Sequence, residues 1–565
     1  MLLLVCLLLA TWSNANECVG REPPVCPPWM YPSSRYHNKC VCGDNLGGAV
    51  QCKTKPFHLQ FEKYFCIFFS KELNSTLIGS CPYSFGGTLT KIVSELEDYP
   101  TFCGHLHRKG QLCGECEDNY TLPVYSYYLG CVKCKDFRHG WIKFIAAAFL
   151  PVTVFYIIVI MFRISATSSA LNGLVLVSQV LAAPTAVRNI YSSNCHGRYE
   201  THISVDLGIA IYAIWNLDFF RSFYQPICLY PHITYSQVLM LDYAVAVYPL
   251  LLIFITFILV KLHDNFAFVV SIWKPFHKFL VLFRKQWNIQ SNLVNVFATF
   301  IVLSYTKILN VSFEFLTFSH VYDRKGHRIN RAYWYYDGTI DMTSKAYIPY
   351  LVLALFMLLI FNIFPLILLT LYPFRCFQVF LGHCFPSIKF KLALQIFMDA
   401  FHGCYQDTTH DYRHFAALYL AVRFFCLLLF SIFNHNLYLP ALSLLLVYTL
   451  ALVAKFQPYK CKRSNTVDMV MLLALVSGAT VTCMSFAVGL MFPRLINGII
   501  VGTLVLIQPG YILFLILAKI LPKILQWFQM SKTIVLKGMK IFKVEVNVER
   551  QTLLNHGVAD YNACY

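Results

Sequence analysis

Nine apolar runs, each long enough to cross the ~30 Å of hydrocarbon in a bilayer, constrain this chain more than anything else in it. They lie near 142–162, 169–187, 238–260, 293–312, 346–371, 414–433, 437–456, 466–488 and 494–518. With 57% hydrophobic and 13% charged residues, the chain carries more apolar surface than a soluble domain could hide. The expected fold is an all-α polytopic transmembrane helical bundle of about nine spans, residues 141–520, with a small disulfide-rich N-terminal ectodomain.

Ahead of the first span, Leu2 to Ala10 is an apolar core too short to cross, and Ser13 and Ala15 fit a signal-peptidase site before Asn16. No Lys or Arg precedes that core; the competing reading, an uncleaved anchor, would need a longer one. Residues 1–15 thus read as a signal peptide and 16–140 as an extracellular domain. Its twelve cysteines, Cys18, Cys26, Cys40, Cys42, Cys52, Cys66, Cys81, Cys103, Cys113, Cys116, Cys131 and Cys134, form a disulfide framework whose connectivity sequence does not give. Asn74 and Asn119 head glycosylation acceptors. The pairs Cys113/Cys116 and Cys131/Cys134 also have zinc-ribbon spacing, but behind a signal peptide oxidation outweighs metal. The phrase Leu112-Cys113-Gly114-Glu115-Cys116 resembles the end of a small EGF-like or receptor-type module, although Asn119-Tyr120 stands where Gly-Tyr is usual. Modules of this kind more often bind or shield than catalyse.

The distribution of Lys and Arg decides a tenth candidate, 203–220, which contains Asp206, Asn216 and Asp218. With the N-terminus outside and nine spans, the cluster Lys261 to Lys285, the cluster Lys455 to Arg463 and the basic tail 521–565 all fall inside. Counting 203–220 as a span would move the first cluster outside, so it reads as an exoplasmic or re-entrant helix. Cys195 and Cys228 then flank it on the outer side and could bridge. The net charge of +18 follows mostly from this topology, with contact to anionic inner-leaflet lipids; nothing favours nucleic acid. The stretch 388–402 reads as interfacial, with Phe390, Leu394, Phe397 and Phe401 on one face and Lys391, Gln395, Asp399 and His402 on the other. The tail from Ile524 reads as a basic amphipathic helix, and 261–291 as a surface-lying loop.

Charged residues inside spans are functional hypotheses by default. Lys307, Arg423 and Asp468 qualify, with Asp242 near a span end. They could line an ion, proton or substrate path; the plainer readings are internal pairing or, for Lys307, snorkelling outward. Pro151, Pro365 and Pro509-Gly510 interrupt spans, as broken transporter helices do, but no inverted repeat accompanies them. The run His402, Cys404, Asp407, His410, Asp411 and His414 has metal-ligand types without a metal-site signature. No catalytic motif, metal site or cofactor is assigned.

Several phrases resemble a family of uncharacterised multi-pass membrane proteins from sponges, corals and their relatives. They are Asn216-Leu217-Asp218-Phe219-Phe220-Arg221, Phe297-Ala298-Thr299 with Leu303-Ser304-Tyr305-Thr306-Lys307, 397–407 and 412–420. The likeness covers about 140–490 and implies an architecture, with no activity attached. A fainter likeness to fungal TRP-like proteins rests on Phe456-Gln457-Pro458-Tyr459-Lys460. The leading expectation is a non-enzymatic plasma-membrane protein, N-terminus outside and C-terminus in the cytosol, whose head binds an extracellular ligand in a receptor-like or adhesion-like way. A channel or transporter using Lys307 and Arg423 is the alternative.

Overall fold

Among the described residues, short antiparallel strands precede Gly140 and packed helices follow it, with three more strands between 318 and 341. The computed structural model describes residues 30–32, 40–42, 50–54, 57–61, 65–70, 75–80, 90–92, 101–102, 107–126, 130–134, 137–162, 164–169, 171–181, 213–219, 221, 227–265, 289–322, 328–385, 387–407, 411–432 and 435–487. The signal peptide, Cys18, Cys26, Asn74, Cys81, Cys103, Cys195, residues 266–288 of the surface-lying loop, the span 494–518 and the basic tail lie outside them.

Ten short strands come first: β1 (Met30–Pro32), β2 (Cys40–Cys42), β3 (Val50–Thr54), β4 (Phe57–Phe61), β5 (Phe65–Ser70), β6 (Ser75–Ser80), β7 (Thr90–Ile92), β8 (Thr101–Phe102), β9 (Arg108–Lys109) and β10 (Glu115–Cys116). Three more lie far along the chain: β11 (Phe318–Tyr322), β12 (Arg328–Trp334) and β13 (Asp337–Asp341). The two sets merge. A six-stranded sheet runs β13-β12-β11-β6-β5-β8, joined where Val321 pairs Gly79 and Tyr322 pairs Ile78. The expected all-α fold therefore needs correcting, because a sheet made by the N-terminal region and by 318–341, in the middle of the chain, sits on the bundle. Strands this short, whose partners lie across several helices, leave little local signal.

Among the described residues four helices are long and apolar enough to cross a membrane: α1 (Gly140–Phe162), α3 (Tyr235–Asn265, apolar over Tyr235–Leu259), α4 (Ile289–Leu316) and α5 (Ile348–Leu371). Between α1 and α3 lies α2 (Asn172–Leu181). After α5 come α6 (Arg375–Cys384), α7 (Ile388–His402), α8 (Phe415–Ile432), α9 (His435–Phe456) and α10 (Lys462–Ala487). In α8 and α9 the apolar stretch is shorter than a full span. Both α1 and α5 open into one π-turn, at Ile145–Phe149 and Leu359–Ile363, close before Pro151 and Pro365. Proline offers no N–H and crowds the carbonyl four residues back, and a widened turn accommodates both.

In α4, 89% of the apolar window is buried, against 22% in α5, so α4 is the axial helix and α5 is peripheral. Its outer end runs directly into β11, and an aromatic stack of Phe315, Trp334 and Tyr350 joins α4, β12 and α5.

The turn formed by Leu112 to Cys116 docks on the start of β13. A Cβ on Gly114 would lie 2.8 Å from the Gly338 nitrogen, and one on Gly338 would lie 2.6 Å from the Gln111 oxygen and overlap the Leu112 side chain. Buried Arg108 caps the turn, donating from Nη1 to the Cys113 and Gly114 oxygens at 3.0 and 3.4 Å. Backbone cannot yield as a side-chain tip can, so Gly338→Ala is expected to destabilise by about 1–3 kcal/mol, as overpacking does. An unfolding midpoint in detergent equal to wild type would count against this docking.

Candidate functional site

Beside a smaller group of Glu314, Asn310 and Tyr235, two clusters of buried polar groups lie along α4, and both rest on residues from distant segments. The cluster nearer the sheet, the outer one in the expected topology, is ionic. Lys307 donates to Asp218 Oδ1 at 2.5 Å, and Arg221 Nη1 donates to the same oxygen at 3.1 Å. Arg221 Nη2 reaches Asp242 Oδ2 at 3.1 Å. All four side chains are buried, and two acids balance two bases. The segment 213–221 that delivers Asp218 and Arg221 re-enters the bundle, its Trp215, Asn216 and Leu217 nearly fully buried. Lys307 therefore does not snorkel, because a carboxylate beside it removes the reason to reach outward.

Residues just ahead of α1 cover this cluster. Lys307 and Arg221 lie 5.4 and 5.9 Å from the centre of the Tyr125 ring, a cation–π geometry, and the Tyr125 hydroxyl donates to the Leu217 oxygen at 3.3 Å. Arg221 Nη2 also donates to the Ser126 oxygen. Val124 N bonds Ile227 O at 2.9 Å, and a disulfide joins Cys134 to Cys228. Cys228 is thus bridged to Cys134 and not to Cys195, which fastens the chain after Arg221 to the region just ahead of α1. Cys116 bridges Cys131, and Cys66 and Cys113 are also disulfide-bonded, so the spaced cysteine pairs are oxidised and form no zinc ribbon. Cys40, Cys42 and Cys52 lie on strands, and Asn119 is exposed in a turn.

The inner cluster centres on Arg423, which is fully buried in α8. Its Nε donates to Gln179 Oε1 at 2.6 Å, Nη1 to the Tyr419 oxygen at 3.0 Å, and Nη2 to Asn172 at 3.4 Å. Its hydrogen-bond partners are therefore neutral acceptors, which suit a guanidinium's fork of donors. Asn172 also donates to the Tyr405 hydroxyl at 2.8 Å, and Tyr405 stacks on Tyr459 at 5.0 Å. Asp468, on α10, accepts from the Tyr419 hydroxyl. Gly173 lets α2 pass against it, since a Cβ there would overlap the carboxylate. Gln179 ties the clusters together: its amide donates to the Trp215 and Val302 oxygens, and its own carbonyl accepts from Asn216. A cavity of about 10 Å³ lies among Thr167, Asn172, Tyr405 and Arg423. That is room for roughly one water.

Between His402 and His414 the described residues, which do not include His410, do not converge on a metal. Cys404 Sγ contacts the Thr167 oxygen, Asp407 pairs Lys460 at 3.3 Å, and Asp411 pairs Arg413 at 2.7 Å. Among the described residues no three His, Cys, Asp or Glu side chains close on a point. His402, placed by periodicity on the polar face of 388–402, is instead buried against Tyr372, while Leu392 and Ile396 are exposed. Burial, helped by the Arg413 charge, pushes its imidazole down to about 4, against the opposing pull of a Leu369 backbone contact and Asp411. A folded-state value below the unfolded one means the unfolded chain binds the proton first. Stability from this residue is therefore complete above about pH 6.5 and falls as pH drops toward 4. His402→Phe should flatten that acid limb in unfolding midpoints measured from pH 7.5 to 4; an unchanged limb would assign it to other groups.

Sequence reasoning singled out Lys307, Arg423, Asp468 and Asp242 but not Arg221, Asn172, Gln179 or the tyrosines. The one signal available was that Asp218, Arg221, Tyr405 and Tyr419 lie in the phrases carrying the family resemblance. Comparison with protein-family models, curated proteins and solved structures gives no match.

Proposed function

We propose that this chain is a multi-pass cell-surface protein, receptor-like or adhesion-like and non-enzymatic, whose N-terminal head transmits binding to its helical bundle. In this reading the chain crosses about nine times, with a glycosylated head outside, the basic loops and tail at anionic inner-leaflet lipid, and the plasma membrane as its site. The observation that carries the proposal is the shared sheet: β6 of the head pairs with β11, which continues the axial helix α4. A load on the head therefore reaches α4 without a flexible tether, and Lys307, Val302 and the Gln179 bonds carry it toward Arg423.

Transport is the competing reading. Lys307, Arg221, Asp218 and Asp242 pair with one another, Arg423 is held by neutral acceptors, and the cavity beside it has room for roughly one water, while an apolar cavity of about 390 Å³ lies between α4, α5 and α7. Two measurements on the full chain separate the readings. Cells displaying it are screened against matrix, soluble factors and other cells, and proteoliposomes are assayed for ion and solute flux. Selective binding lost on substitution within 16–140, with no flux, is the expected result. A head that binds nothing, together with flux abolished by Arg423→Ala, would overturn it.

A further inference from the structure

Helix α6 follows the span α5 at the bundle end opposite the sheet, yet it buries none of its residues. It is nevertheless strongly one-sided. Cys376, Phe380 and Cys384 recur at four-residue spacing and share one face, bordered by Phe377 on one side and His383 on the other, while Arg375 and Gln378 lie off it. All three residues of the stripe are exposed. Such a helix lies in the plane of the membrane interface with its apolar stripe toward the acyl chains, and the end of α5 three residues earlier sets it at that depth.

Both cysteines carry free thiols. They cannot bridge each other, because eight residues of helix separate them by ~12 Å. On the proposed orientation they face the reducing cytosol, at the boundary where lipid-linked acyl groups and their soluble thioester donors meet.

We propose that Cys376 and Cys384 are S-acylation sites whose substrate is a long-chain fatty acyl thioester. The cysteine sulfur attacks the acyl carbonyl, a new C–S bond forms, the donor's C–S bond breaks, and the leaving thiolate takes up the proton the cysteine gives up. No electrons change hands. The attached chains enter the leaflet beside Phe380, extending a stripe that is already apolar. This assignment rests on the inside placement of α6, and the experiment tests that separately.

The full chain is expressed in animal cells, free thiols are blocked, thioesters are cleaved with hydroxylamine, and the released thiols are tagged with a mass label. Two hydroxylamine-dependent tags are expected in wild type, one in Cys376→Ser or Cys384→Ser, and none in the double variant. An epitope inserted between α6 and α7 should stain only permeabilised cells. Staining of intact cells would overturn the orientation and the proposal with it. Internal staining without tags, or tags that persist in the double variant, would overturn acylation at these cysteines alone.

Discussion

Lys307→Met should lower the stability of the folded chain by about 3–5 kcal/mol, the range for removing one partner from a buried ion pair. The substitution keeps the volume of the side chain, so the loss reads charge instead of packing. It leaves Asp218 facing only Arg221, which Asp242 already engages, and gives the interior one excess negative charge. Asp218→Asn makes the opposite error, with two cations sharing one carboxylate. Combining them restores neutrality, so the double variant should lose less than the sum of the singles, by about 0.5–3 kcal/mol of coupling. Unfolding midpoints of the four proteins in one detergent supply the cycle. Additive losses would show that Lys307 and Asp218 do not act as a pair.

Replacing Cys134 and Cys228 by serine should have the next largest effect. This bridge spans 94 residues, whereas Cys116–Cys131 spans 15. By chain entropy a loop near 100 residues is worth about 4.7 kcal/mol and one of 15 about 3. Helices α1 and α2 restrict the longer loop even without its bridge, so a loss of about 2–4 kcal/mol is expected. The consequence should also be local. With Cys228 released, 121–126 and 213–221 lose their common clamp, and amide exchange there should rise before exchange in α4 does. Equal acceleration throughout the chain would mean that the bridge supports the whole fold, not this joint.

The sequence made the helices legible because apolar length is a local property, and α1, α3, α4 and α5 fall where the apolar runs do. It also placed the oxidised cysteines: Cys116, Cys131, Cys134 and Cys228 are bridged, while Cys376, Cys384, Cys404 and Cys426 are free. Partner identity was not legible. Arg423 is held by Gln179 and Asn172, neutral residues some 250 positions away, and nothing near Arg423 in the chain announces them. Asp218 shows a different limit. The distribution of Lys and Arg argued that 203–220 does not cross, but only tertiary structure shows that its Asp218 answers Lys307. The Cys195–Cys228 reading failed for a related reason, since spacing along a chain says nothing about which sulfurs meet.

The pairing of β6 with β11 sets an order of assembly. Strand β6 emerges early, yet its neighbour is made only after α1, α2, α3 and α4. Until then β6 presents an open row of amide and carbonyl groups, a template on which other chains can add. A secreted fragment ending before α1 would keep that edge for good. The head is therefore a structure the membrane helices help to finish, and nascent chains must be shielded at β6 until β11 arrives.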